Sequence, residues 1–159
     1  MQGKATFRGH PVPLMLIPFP VAFWTGALLT DGAGVSSHDA FWFRMSAVLI
    51  AAGTVGAVVA SVAGFVDYRT AAMSRRAHGV ATGHMLWSLA TLAVFALAWW
   101  LRATIYASRA GIAATIFGAA LLFVAGYLGS ELANRYRVGI SDVSPPERDA
   151  IARRAKRRR

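Results

Sequence analysis

Cysteine is absent from this chain of 159 residues. Its absence excludes structural disulfides, thiolate metal sites, iron–sulfur ligation and covalent haem attachment through C-x-x-C-H. Histidine, aspartate and glutamate remain as ligand types. Charge is scarce as well: 15% of residues, against about 25% in a soluble domain. Acid is scarcer still, with seven Asp and Glu against 17 Lys and Arg. No P-loop, nucleophile elbow or H-E-x-x-H is present. No catalytic activity of the chain's own is therefore expected.

What is abundant is apolar sequence, 56% of the residues, and it is gathered into runs. Val12–Thr30 carries no charge, and neither does Met45–Val66 over 22 residues. Met85–Leu101 is uncharged and extends back through Val80, and Ala110–Ser130 is uncharged over 21 residues. At 1.5 Å rise per residue, about 20 residues cross the roughly 30 Å hydrocarbon core. In lipid each backbone N–H and C=O must be satisfied within its own segment, so these runs are helices. The expected fold is an all-α, polytopic membrane protein, a four-transmembrane-helix bundle. One transmembrane domain spans 1–140, with helices near 12–30, 45–66, 80–101 and 110–130. A basic cytoplasmic tail follows over 141–159.

The net charge of +10 is distributed by topology. Lys4 and Arg8, the loop with Arg69, Arg75 and Arg76, and the tail from Arg135 together hold 14 of the 17 basic residues. Arg44, Arg102 and Arg109 hold the other end. Lys and Arg stay on the cytoplasmic side, so the chain is expected in an inner (cytoplasmic) membrane, multi-pass, with both termini cytoplasmic. The first segment is longer than the 7–15-residue apolar core of a signal peptide and is laced with proline, so it reads as a retained helix. The tail ARRAKRRR reads as an anchor meeting anionic lipid. Nucleic acid is disfavoured as its partner, because no aromatic residue interleaves the run.

Four prolines fall within Pro11–Pro20. Proline suits a helix start and pushes the residue before it toward extended geometry. The reading is a doubly started lead-in, with one short turn near Leu14–Ile17 and the regular helix from about Pro20. Small residues recur every four positions at Ala52, Gly56, Ala60 and Gly64, at Ala114 and Gly118, and at Gly126 and Ser130. Such spacing forms close packing seams in lipid.

Ionisable residues fall at one depth, the inner ends of the helices: His10, Asp67, His84 and Glu131. In the structural reading the histidines bridge helix ends, while Asp67 and Glu131 pair with Arg76 and Arg135. In the haem reading His10 and His84 are the axial ligands of a b-type haem. In a metal reading all four residues hold a hard or borderline ion. His78 and His38 read as solvated, and Asp31 as a cap or turn contact closing the first helix.

Several stretches together resemble a known family: GHPVPLMLIPFPVAFWTGALLTD, GFVDY, His84 opening the third helix, WLR at its end, and GYLGSELANRYRVGI. The resemblance is to the bacterial membrane proteins of domain-of-unknown-function family 2231, over about residues 8 to 140. It implies a four-helix inner-membrane protein of unestablished activity. Some members look joined to redox modules, which implies an electron-transfer or haem role, or the anchoring of a redox protein partner. An Asn that often follows the third-helix His in the family is replaced here by the turn holding Trp87 and Ser88. Two functions are therefore carried forward. One is a redox-associated subunit holding a b haem or anchoring a redox partner; the other is a cofactor-free membrane scaffold. A transporter is disfavoured, because the helix centres offer only Thr and Ser.

Overall fold

Proline decides how the first membrane segment begins. In the computed structural model, which describes residues 6–7, 10–136 and 138, a two-residue antiparallel ladder pairs β1 (Thr6–Phe7) with β2 (His10–Pro11). Phe7 stands opposite His10. A single helical turn follows, α1 (Val12–Leu16), and then α2 (Pro18–Ser37). Pro18 occupies the first position of α2, where a missing N–H leaves no bond unmade. The lead-in is thus doubly started, with the regular helix two residues earlier than the sequence suggests. The side chain of His10 and the basic tail over 141–159 lie outside the described residues.

The other helices are α3 (Ala40–Thr70), α4 (Arg75–Trp100) and α5 (Arg109–Asn134). Four helices are long and apolar enough to cross a membrane. α3 and α5 outrun their uncharged segments at both ends, α2 at its end and α4 at its start, because charge bars a residue from hydrocarbon but not from a helix. The expected loop around residues 31–44 shrinks to His38–Asp39. His38 adopts left-handed geometry (φ 58°) and donates its N–H to Gly34. Asp39 then caps α3 by accepting from the Phe41 N–H at 2.9 Å. Ser74 and Ser108 cap α4 and α5 in the same way. Each of these hydroxyls or carboxylates satisfies a donor that the first turn leaves without an intrahelical partner.

The short connections make successive spans antiparallel. α2 lies along α3, α3 along α4, α4 along α5, and α5 returns to α2; α1 rests on α3. Two ends result: a loop end, with the α2–α3 and α4–α5 connections, and a terminal end, with α1, the α3–α4 turn and the end of α5.

One stripe of each helix faces the axis. On α2 it runs Pro20, Trp24, Ala27, Asp31, Gly34. On α3 it is Phe43, Ser46, Ile50, Gly53, Ala57, Ala60. Buried positions alternate three and four apart, the 3.5-residue period of knobs-into-holes packing. The opposite faces carry Val48, Val55, Val62, Leu86 and Phe123, all exposed as lipid-facing side chains would be. The expected four-residue seam on α3 is therefore displaced. Gly53 and Ala57 take the axis beside Ala60, while Ala52, Gly56 and Gly64 flank it half-buried. On α5 Gly118 is central, and Gly126 is exposed.

At mid-height the Trp24 and Phe95 rings stack in parallel with centroids 4.3 Å apart. Two glycines make room for them. A Cβ at Gly53 would lie 2.6 Å from Trp24, and one at Gly118 would lie 2.9 Å from Phe95. The stack divides the bundle into a closed half at the loop end and an open half at the terminal end.

Candidate functional site

The closed half is held by a polar knot. Arg102, just past the end of α4, is 1% exposed, and Asp31 of α2 is 2% exposed. The guanidinium meets the carboxylate with both terminal nitrogens, its Nη1 at 3.0 Å from Oδ1 and its Nη2 on Oδ2. Nη1 also donates to the Tyr106 carbonyl at 3.0 Å, and Nη2 to the Thr115 hydroxyl at 2.9 Å. Thr115 in turn donates to the Gly111 carbonyl. A Cβ on Gly111 would sit 2.8 Å from Arg102 Cγ, so only glycine lets α5 approach this side chain. The pair therefore joins α2, the α4–α5 connection and α5. Asp31 does not close its helix; it sits within α2, six residues before its end.

The open half holds a half-open cavity of about 470 Å³. Trp24 forms its floor; α1, α2, α3, α4 and α5 wall it. The lining is apolar apart from a few side chains, chiefly His84, Asp67, Tyr68 and three serines. His84 is fixed by its Nδ1, 2.9 Å from the Ala125 carbonyl across the α4–α5 interface. A carbonyl only accepts, so Nδ1 bears the proton, and Nε2 of the neutral ring carries the lone pair. Gly129 makes the placement feasible: a Cβ there would stand 3.0 Å from His84 Cε1.

The rim has its own relay. Tyr68 O–H lies 2.9 Å from Thr82 Oγ1, whose own proton goes to the His78 carbonyl. Tyr68 is therefore the donor. Its ring stacks on the His78 imidazole at 4.7 Å. His78 is exposed but belongs to the first turn of α4, not to a loop.

Of the four residues that the sequence singles out, His84 and Asp67 both line the cavity. Glu131 does not; it pairs with Arg135 at 2.9 Å on the surface of α5. His10 lies at the foot of α1, with its side chain outside the described residues. Among the described residues, no three His, Asp or Glu side chains gather closely enough to hold a metal. Sequence reasoning missed the Asp31–Arg102–Thr115 knot. Its signal was present, since a lone acid and a lone base stand at the same end of two uncharged segments.

Four apolar spans, a polar knot at one end and a histidine-bearing cavity at the other define a small polytopic α-helical membrane protein. The chain matches the sequence profile of the predicted membrane proteins of domain-of-unknown-function family 2231 (DUF2231) over residues 9–142, and it belongs to that family. No curated protein and no solved structure gives a significant match.

Proposed function

We propose that the protein is a small membrane subunit that holds a hydrophobic ligand in the cavity at its terminal end, in association with membrane redox proteins. The observation that carries this is the His84 imidazole, its tautomer set by the Ala125 carbonyl and its Nε2 left with ligand-accepting character. Metal-ligating and ligand-orienting histidines are commonly fixed through their other nitrogen in this way. The redox association rests on the family resemblance.

A b-type haem is the cofactor form of this reading, with His84 and His10 as axial ligands from α4 and from the lead-in to α1. Such a group would supply one-electron transfer. The metal form is weaker, since Glu131 is engaged by Arg135 away from the lining. The test is an oxidised and dithionite-reduced visible spectrum of the detergent-purified protein, beside His10→Ala and His84→Ala. A Soret band with reduced α and β bands, lost in both variants, is the result expected of a bis-histidine haem. A flat spectrum from folded protein expressed with ample haem removes the haem form. The cofactor-free scaffold is supported by the tightly closed loop end, which needs no ligand to hold its helices together.

The orientation belongs to the same reading, with both termini on the cytoplasmic side of an inner membrane. Exposed Arg69, Arg75, Arg76 and Arg135 ring the terminal end. At the loop end Arg44 and Arg109 are exposed, whereas Arg102 is buried and neutralised by Asp31. This sharpens the charge asymmetry that sets topology. Anionic lipid is the partner proposed for the basic tail.

A further inference from the structure

The wall of the cavity is not held equally on every side. Four backbone hydrogen bonds of the helical kind would join α1 to α2, onto the carbonyls of Leu14, Met15, Leu16 and Ile17. Pro18 and Pro20 carry no N–H, so the Leu14 and Leu16 carbonyls cannot receive theirs. The Val21 N–H reaches the Ile17 carbonyl at 3.3 Å, just beyond the usual range. Ile17 itself has helical angles, φ −53° and ψ −38°. A residue that precedes proline is drawn toward extended ψ, so a second basin lies open to it. Rotation at this one residue swings α1 as a unit. Anchoring changes across the same break. Pro20 is buried, and its Cδ would lie 3.6 Å from a Cβ at Gly56, so α2 is seated on α3 from Pro20 onward. On α1, which rests on α3, Val12 and Leu16 are only half-buried, and Leu14 and Met15 are exposed. Segments with so little buried apolar surface open at low cost. Leu14 and Ile17 nevertheless line the cavity, and they belong to a span long and apolar enough to cross the membrane.

We infer that α1 is a hinged flap on the cavity. It turns about Ile17 between the seated position and an extended one, and a bulky hydrophobic ligand enters from the bilayer while it is swung out. This rests on the reading of the cavity as a ligand site and adds how that site is loaded. It applies to a haem as to any other hydrophobic occupant. The ladder strand His10–Pro11 leads directly into α1, so the backbone of His10 travels with the flap.

The test uses the full chain in mild detergent and exploits its lack of cysteine. Ser88→Cys on α4 and, separately, Ser61→Cys on α3 place a thiol in the cavity lining. Each is labelled with N-(1-pyrenyl)maleimide, a polycyclic reagent, and with the small N-ethylmaleimide. Pro18→Ala gives the Leu14 carbonyl its donor and frees Ile17 from the pull toward extended ψ, at an exposed position. It is expected to slow pyrenyl labelling about fivefold, the population shift of one restored hydrogen bond. N-ethylmaleimide labelling and an Ala107→Cys control outside the cavity are expected to keep their rates. Ile17→Gly loosens the hinge and is expected to speed pyrenyl labelling; the second thiol position keeps the test decisive if the first does not fold. Equal pyrenyl rates with and without Pro18→Ala overturn the flap, even beside a haem Soret band that upholds the ligand site. Slowed pyrenyl labelling in a protein that takes up no haem or other hydrophobic ligand upholds the flap and removes the ligand site.

Discussion

A carboxylate and a guanidinium placed where lipid surrounds the helices are costly unless each finds the other. Asp31 and Arg102 do so, with four of the five guanidinium N–H groups donating to Asp31, Thr115 and Tyr106. The balance predicts an asymmetric mutational response. Asp31→Leu alone strands a buried cation and is expected to cost about 3–5 kcal/mol of stability. Arg102→Met alone strands the carboxylate and is expected to cost a similar amount. The double variant removes both charges and is expected to recover most of that loss. Thermal unfolding of the three variants in detergent checks this; additive losses would show that the knot contributes nothing as a pair. The sequence sets the two at the same end of their segments but does not pair them, because each stands beside polar loop chemistry and reads as a cap or a topogenic charge. Only packing α2 against α5 brings them face to face.

At the scale of the helix, glycines are seats for particular side chains. Gly53→Ala drives a methyl into Trp24, and Gly118→Ala drives one into Phe95, whose ring is fully buried and cannot swing away. Each is expected to lower stability by about 1–3 kcal/mol, the usual cost of overpacking. Gly64→Ala, with nothing within 4 Å of the added carbon, is expected to be neutral or slightly stabilising. Comparing their unfolding midpoints in one detergent checks the contrast. The sequence showed that small residues line the seams, but it put the α3 seam on Ala52, Gly56, Ala60 and Gly64, of which Ala60 is the one that reaches the axis. The error has a physical source. Outward faces in lipid are as apolar as inward ones, so hydrophobic patterning does not reveal which side is buried. The period that matters, alternating three and four, emerges only from the contacts. The start of the first span was easier to read, because the prolines before Val21 act through their own backbone neighbours.

At the scale of the whole molecule, orientation is open to a clean measurement, because the natural chain contains no cysteine. Ala72→Cys lies in the α3–α4 turn and Ala107→Cys in the α4–α5 connection, both at exposed positions. A membrane-impermeant maleimide applied to intact cells is expected to label the second and to reach the first only after permeabilisation. The reverse pattern would invert the topology and place the cavity on the other side of the membrane.

The sequence by itself determined the number of spans, their antiparallel order and the irregular start at the prolines. These follow from the length of uncharged runs, from the hydrogen-bonding demands of lipid and from the missing N–H of proline, all local properties of the chain. It also marked His84 and Asp67 as neighbours at one depth, because helix ends of a bundle share a plane. Tertiary structure alone decided that Asp31 meets Arg102 and that Gly129 admits the His84 ring to the Ala125 carbonyl. Those outcomes depend on the rotation of each helix about its axis. That angle is set by how glycines and large rings interlock between helices, and an apolar sequence in lipid does not encode it in its composition.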